Sequence, residues 1–216
     1  MFEISQDYQD IIEKLKNKII PEAYPVSLNP AKNHNNNSFD ILKLSPMLVR
    51  DEIIRLSGYS MISYNWIRPL SKWIGNRKCL EVMAGSGVWS KALQDCGVSV
   101  IATDNPSWYV DLWQRSPWTE IEQIDCIEAI EKYGKNMNFV LCSWPPMNKM
   151  CYYILLKMRK INPDLKMIYI GENGGATGCE EFFNEVQQIE DSTFEKAVSK
   201  YTQIHFSIHD YPFLFK

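Results

Sequence analysis

The segment Lys78-Cys79-Leu80-Glu81-Val82-Met83-Ala84-Gly85-Ser86-Gly87 runs from a short apolar stretch straight into a glycine turn. Residues 79–83 read as a strand, and 89–96 as a helix closed by Gly97. The same texture repeats downstream. Residues 98–103 form a second candidate strand and 121–124 a weakly patterned third. Asp125 then stands as an N-cap, with Glu128 at capping-box spacing. Residues 139–142 read as a fourth strand, 147–161 as a helix, 165–170 as a fifth strand and 180–188 as a helix. Ile204, Phe206 and Ile208 alternate as a sixth strand, and 212–215 form a short last one. Strand–helix alternation gives a parallel sheet covered on both faces. The final two strands lie only a few residues apart, so they pair as an antiparallel hairpin. The expected fold is α/β and Rossmann-like: a seven-stranded, mostly parallel sheet ending in an antiparallel β-hairpin.

Upstream, the pattern is helical. Tyr8, Ile11, Ile12, Leu15 and Ile19 share one helical face, and Pro21 ends that helix. The run Asn33-His34-Asn35-Asn36-Asn37-Ser38 reads as an exposed loop. Ser45-Pro46 looks like an N-cap followed by proline at the first helical position, opening a helix to about Leu56. Another short helix is expected from Pro69 to just before Gly75. Residues 1–76 are therefore expected to be an N-terminal helical cap on a domain spanning 77–216.

Composition narrows the function classes. The 216 residues are 45% hydrophobic and 23% charged, which excludes a disordered chain. Lys and Arg number 23 against 26 Asp and Glu, a net charge of −3. Such a chain has no bulk electrostatic reason to hold a phosphate backbone. No apolar run reaches the roughly 18 residues of a membrane span, and the N-terminus lacks a signal-peptide pattern. The six cysteines show neither C-x-x-C nor zinc-ligand spacing, so buried thiols in a cytoplasmic protein are expected, with no metal.

In an open α/β sheet, ligands bind beyond the carboxyl ends of the strands. Those ends carry Ala84-Gly85-Ser86-Gly87, Asp104-Asn105, Asp125-Cys126, Ser143-Trp144-Pro145-Pro146, Gly171-Glu172 and His209-Asp210. Gly85 and Gly87 allow close backbone approach in a strand-to-helix turn. Asp104 follows Gly87 by 17 residues, near the roughly 20 expected of a ribose-binding acid. Each oxygen of a carboxylate can accept from one of two vicinal hydroxyls.

Glu81 to Gly87 resembles the glycine-rich first motif of class I S-adenosylmethionine-dependent methyltransferases, with Met83 where that family usually has glycine. Five αβ units closing in a hairpin match the same outline. The resemblance implies a methyltransferase-like domain over 77–216 and S-adenosylmethionine as cofactor. It places Glu81, Met83, Ala84, Gly85, Gly87, Asp104, Asn105, Asp125, Cys126 and Ser143 around that cofactor. Asp125 reads equally well as a helix cap. Ser143-Trp144-Pro145-Pro146 resembles the fourth motif of methyltransferases acting on amino groups, with an extra Trp and with Met147 replacing the trailing aromatic. Tyr64-x-Trp66-x-x-Pro69, Gly171-Glu172 with Gly175-x-Thr177-Gly178, and His209-Asp210 look like features of a bacterial and fungal subfamily without an assigned substrate.

On the acceptor side, Tyr64 and Trp66 read as an aromatic lid or as core of the cap. Trp144, Pro145, Pro146 and Asp210 are candidate substrate contacts, and Ser143 a candidate catalytic group. Glu172 and His209 read as general bases, or as a structural carboxylate and a turn-stabilising His-Asp pair. His34 and His205 are expected to be solvent-facing or packed. The reaction expected is methyl transfer to an N or O atom of an acceptor. Three rivals are a DNA or RNA amine methyltransferase, a non-enzymatic cofactor-binding protein and a nicotinamide-dependent dehydrogenase. The charge balance opposes the first, Met83 and the altered fourth motif favour the second, and the hairpin ending disfavours the third.

Overall fold

The computed structural model describes residues 6–25, 41–105, 116–202 and 208–216, with side chains from Leu48 onward in the second segment. Among them the sheet has six strands: β1 (Cys79–Val82), β2 (Val100–Asp104), β3 (Glu122–Gln123), β4 (Phe139–Ser143), β5 (Lys166–Gly171) and β6 (Tyr211–Phe215). Their spatial order is β3-β2-β1-β4-β5-β6. All neighbours run parallel except β6, which pairs antiparallel with β5. The expected strand at Ile204 and Phe206 lies outside the described residues, so the described sheet has six strands where seven are expected. His34 and His205 also lie outside them.

The central strands are apolar on both faces because helices cover both. Leu80 and Val82, Val140 and Cys142, and Met167 and Tyr169 face α5 (Cys126–Tyr133), α6 (Met150–Ile161) and α7 (Glu180–Glu185). The alternate residues Cys79, Phe139, Leu141, Ile168 and Ile170 face the other layer. That layer holds α1 (Gln6–Lys16), α2 (Ile41–Ser57), α3 (Tyr64–Ile74), α4 (Val88–Asp95) and α8 (Ser192–Val198). The helices upstream of β1 thus share a core with the sheet.

Three expectations about these helices are corrected. The first helix ends at Lys16, and Lys18 takes a left-handed backbone with φ 55°. The helical period breaks there, so Ile20 is buried and Ile19 is exposed. The second helix begins at Ile41, before Ser45, so Ser45 is no N-cap. The third begins at Tyr64, and Pro69 lies inside it. Proline there lacks the N–H for one helical bond, but Trp66, Ile67, Leu70 and Ile74 are all buried along that helix. Burying four such side chains, at roughly 1.5–3 kcal/mol each, outweighs one lost bond.

Strand order reverses at β1, which lies between β2 and β4. A crevice opens there at the carboxyl ends of the strands, as this topology requires.

Candidate functional site

The turn after β1 is held from two sides. Glu81, buried in the strand, accepts at Oε2 from the Ser90 amide (3.0 Å) and the Ser90 hydroxyl at the start of α4. Burial pushes the Glu81 carboxyl up to about 8, although the Ser90 bonds oppose the shift. From β2, Asp104 Oδ2 accepts from Gly85 N at 2.7 Å, and Oδ1 accepts from Asn105 N at 2.7 Å. Burial also raises the Asp104 carboxyl above its ordinary range, against these two N–H bonds. Met83 adopts φ 53°, a left-handed backbone costly for a side chain with Cβ. The chain path therefore matches a glycine-type turn even though Met stands in it. Gly87, at φ 74°, does not line the crevice. A Cβ there would meet Thr119 Cγ2 and Ile121 Cδ1 at 3.1 Å, so the glycine lets that segment pack on the turn.

A cavity of about 230 Å³ lies against this turn. Glu81, Met83, Ala84, Gly85, Asp104, Asn105, Asp125, Cys126, Ser143, Trp144 and Pro146 all line it. Asp125 also caps α5, accepting from Ile127 N at 2.8 Å, so it is both a helix cap and a residue of the cavity wall. Burial raises the Cys126 thiol to about 12, leaving an unreactive wall group.

The cavity has a cover that sequence reasoning missed. Ser57, Gly58, Tyr59, Ser60 and Ile62, between α2 and α3, form its other side. Ser86 Oγ donates to Ser57 O at 2.5 Å, and the Ser60 and Ser143 hydroxyls lie 2.5 Å apart. A Ser-Gly-Tyr-Ser stretch is a turn signal, but nothing in it marks which strand ends it will cover.

The proline loop after β4 is shaped by Trp144, whose backbone has φ 49°. Its amide donates to Ile170 O at 2.7 Å, and its indole N–H donates to Asp210 Oδ2 at 2.8 Å. Tyr59 stacks on the Trp144 ring at 5.4 Å, and the Arg50 guanidinium lies 5.3 Å from its centre.

Seven expected site residues lie away from the cavity wall: Gly87, Tyr64, Trp66, Pro145, Glu172, His209 and Asp210. The aromatic lid is corrected to core and surface. Trp66 is fully buried, donates its indole N–H to Met61 O and meets Tyr201 edge-on at 5.1 Å. Tyr64 turns away to Asp95, donating its hydroxyl at 2.8 Å. Glu172 is tied up as a loop anchor. Its Oε2 accepts from Ala176 N and its Oε1 from His209 N, both at 2.7 Å. Burial alone would raise its carboxyl, but those bonds and the nearby His209 and Arg50 bring it below the usual range. Gly175 lies so close to Glu172 that a Cβ would collide with its Oε2 and Cβ atoms, which accounts for glycine there. His209 is exposed, and it is the backbone N–H that reaches Glu172.

Among the described residues, no three His, Cys, Asp or Glu side chains gather to hold a metal ion. No described helix is long and apolar enough to cross a membrane.

No protein-family model matches the chain, and no curated protein matches it. Among solved structures, it is similar to a SAM dependent methyltransferase from Archaeoglobus fulgidus. That match has 12% identity and a TM-score of 0.38, over 69% of this chain and 94% of the other. It is also similar to the mitomycin 7-O-methyltransferase MmcR, with 14% identity and a TM-score of 0.42 over 98% of this chain and 67% of the other.

Proposed function

We propose that the chain binds S-adenosylmethionine in this cavity and transfers its methyl group to an N or O atom of an acceptor. One observation carries the reading. Among the described residues the wall holds three acidic side chains, Glu81, Asp104 and Asp125, with Glu81 held neutral by burial, and no Lys, Arg or His. That donor set suits a cofactor with a cationic sulfonium and ammonium. It disfavours the pyrophosphate of a nicotinamide dinucleotide and the phosphates of a nucleic acid. Asp104 would accept from the ribose hydroxyls with the lone pairs left after its two backbone bonds. Asp125 and Cys126 would border the adenine, and Gly85 would allow close approach of the methionyl portion.

When bound, the cofactor supplies a sulfonium methyl, whose S–C bond breaks with its electrons kept on sulfur as the acceptor–C bond forms. The chain's own contribution is placement. The Ser57–Ile62 cover and the Trp144 loop would hold the acceptor in line and exclude water.

Calorimetry and melting curves test this with S-adenosylmethionine, S-adenosylhomocysteine, NAD and NADPH. Both adenosyl-sulfur compounds should bind, and at 100-fold excess over Kd should stabilise the fold by about 2.7 kcal/mol. Neither nicotinamide compound should do so. Heat and a melting shift with NAD alone would replace the reading by a dehydrogenase.

A further inference from the structure

We propose that the β1–β4 end of the cavity is an acceptor subsite for an uncharged aromatic ring bearing a hydroxyl or amino group. The inference rests on the methyl-transfer reading and names the class of acceptor.

The strand order β3-β2-β1-β4 sorts the wall into two halves. Asp104 ends β2 and Asp125 follows β3, on the half assigned to ribose and adenine. On the other half stand Met83 after β1, Ser143, Trp144 and Pro146 at and after β4, Met150 at the start of α6, and Tyr59 from the cover. None of these six side chains is charged at neutral pH. Glu81, within β1, is kept neutral by burial. The Arg50 guanidinium lies 5.3 Å from the centre of the Trp144 ring, but Arg50 is not on the wall. A charged acceptor entering this half would lose water and find no opposite charge on the wall.

What the half offers instead suits an aromatic ring. Tyr59 and Trp144 stack with centroids 5.4 Å apart and planes 21° apart. Tyr59 is still 43% exposed, and among the described residues no second ring stacks on it. Trp144 covers one face of the Tyr59 ring, which leaves the other for a flat guest. The thioethers of Met83 and Met150 add sulfur, which makes favourable contacts with ring edges. The Ser60 and Ser143 hydroxyls, 2.5 Å apart, are neutral groups able both to donate and to accept. They match a phenol hydroxyl or an arylamine.

This surface is fixed before any guest arrives. The Trp144 backbone is left-handed, which is costly for a residue with Cβ. Its indole is pinned by Asp210 Oδ2 at 2.8 Å, and Tyr201 donates to the same oxygen at 2.5 Å. Three described non-glycine residues have a left-handed backbone, Lys18, Met83 and Trp144, and two of them line this half. The backbone cost at two adjacent strand ends holds their side chains on the wall. A wall ordered in advance loses little entropy on binding.

The test uses the full chain loaded with S-adenosylhomocysteine and three probes of similar size: 2-naphthol, decahydro-2-naphthol and 2-naphthoate. Binding is followed by calorimetry at neutral pH. 2-Naphthol should bind roughly 2- to 12-fold tighter than decahydro-2-naphthol, the worth of an aromatic stack. It should bind about 100-fold tighter than 2-naphthoate, whose charge has no partner on the wall. Tyr59→Phe should keep the preference for the flat ring. Tyr59→Leu, which leaves apolar bulk against Trp144 but removes the ring, should abolish it. Four results each overturn the subsite and spare the cofactor reading: equal binding of 2-naphthol and decahydro-2-naphthol, a preference unmoved by Tyr59→Leu, 2-naphthoate bound as tightly as 2-naphthol, or no probe bound by the loaded chain. No heat with S-adenosylhomocysteine in the parent overturns the cofactor reading, and the subsite with it.

Discussion

Glu81→Gln should stabilise the protein at neutral pH and do nothing at pH 5. Glu81 is buried under α4, and its carboxyl in the fold is pushed up to about 8 from an ordinary 4.5. The folded value lies above the unfolded one. Its contribution to stability is therefore complete below pH 4.5 and is lost progressively as pH rises towards 8. Each pH unit inside that window costs about 1.36 kcal/mol, so the loss between pH 5 and pH 7 is about 2.7 kcal/mol. Glutamine has nearly the same shape, and its amide oxygen can accept from the same Ser90 amide and hydroxyl. It carries no charge to bury, so its stability lacks this slope. Urea unfolding followed by circular dichroism at pH 5, 6 and 7 on both proteins provides the measurement. Other titrating groups cancel in the difference. The variant should match its parent at pH 5 and exceed it by about 2.7 kcal/mol at pH 7. A difference that stays constant across the three pH values would show that Glu81 is ionised in the fold, and would refute the reasoning.

Three further outcomes are expected. Asp104→Ala should weaken S-adenosylhomocysteine binding by about 10- to 150-fold in calorimetry, the cost of a lost charge-assisted pair, while the chain still melts cooperatively. Glu172→Gln should leave that affinity unchanged yet lower Tm at pH 7. The Glu172 carboxyl is depressed in the fold, so its stabilisation is present above pH 4.5 and lost as pH falls below it, and the Tm difference should shrink in acid. Trp66→Ala should cost about 3–5 kcal/mol in denaturant unfolding, as for any large buried aromatic; a lid residue would cost little.

The strands at 79–83, 98–103, 139–142 and 165–170 are legible because central parallel strands are short apolar runs, whichever partners they find. The Asp125 cap is legible for a similar reason: a cap bonds only to its own helix. Once the alternation is seen, topology alone brings Gly85, Asp104, Asp125 and Ser143 to one rim, and all four line the cavity. Other features depend on contacts between distant segments. Trp66 and Tyr64 are both aromatic and two residues apart, yet only packing against Met61 and Tyr201 sends one to the core, while Asp95 draws the other to the surface. Glu172 looks like a base until the fold brings the His209 and Ala176 amides onto its two oxygens. Ser60 and Tyr201 carry no local signature at all. A hydroxyl meets a partner oxygen only when the fold delivers one, and for Ser60 that partner is Ser143, 83 positions away at 2.5 Å. Local periodicity and caps depend on nearest neighbours along the chain and so survive in the sequence. Cover, charge state and hydrogen-bond direction depend on neighbours in space, which only the folded structure supplies.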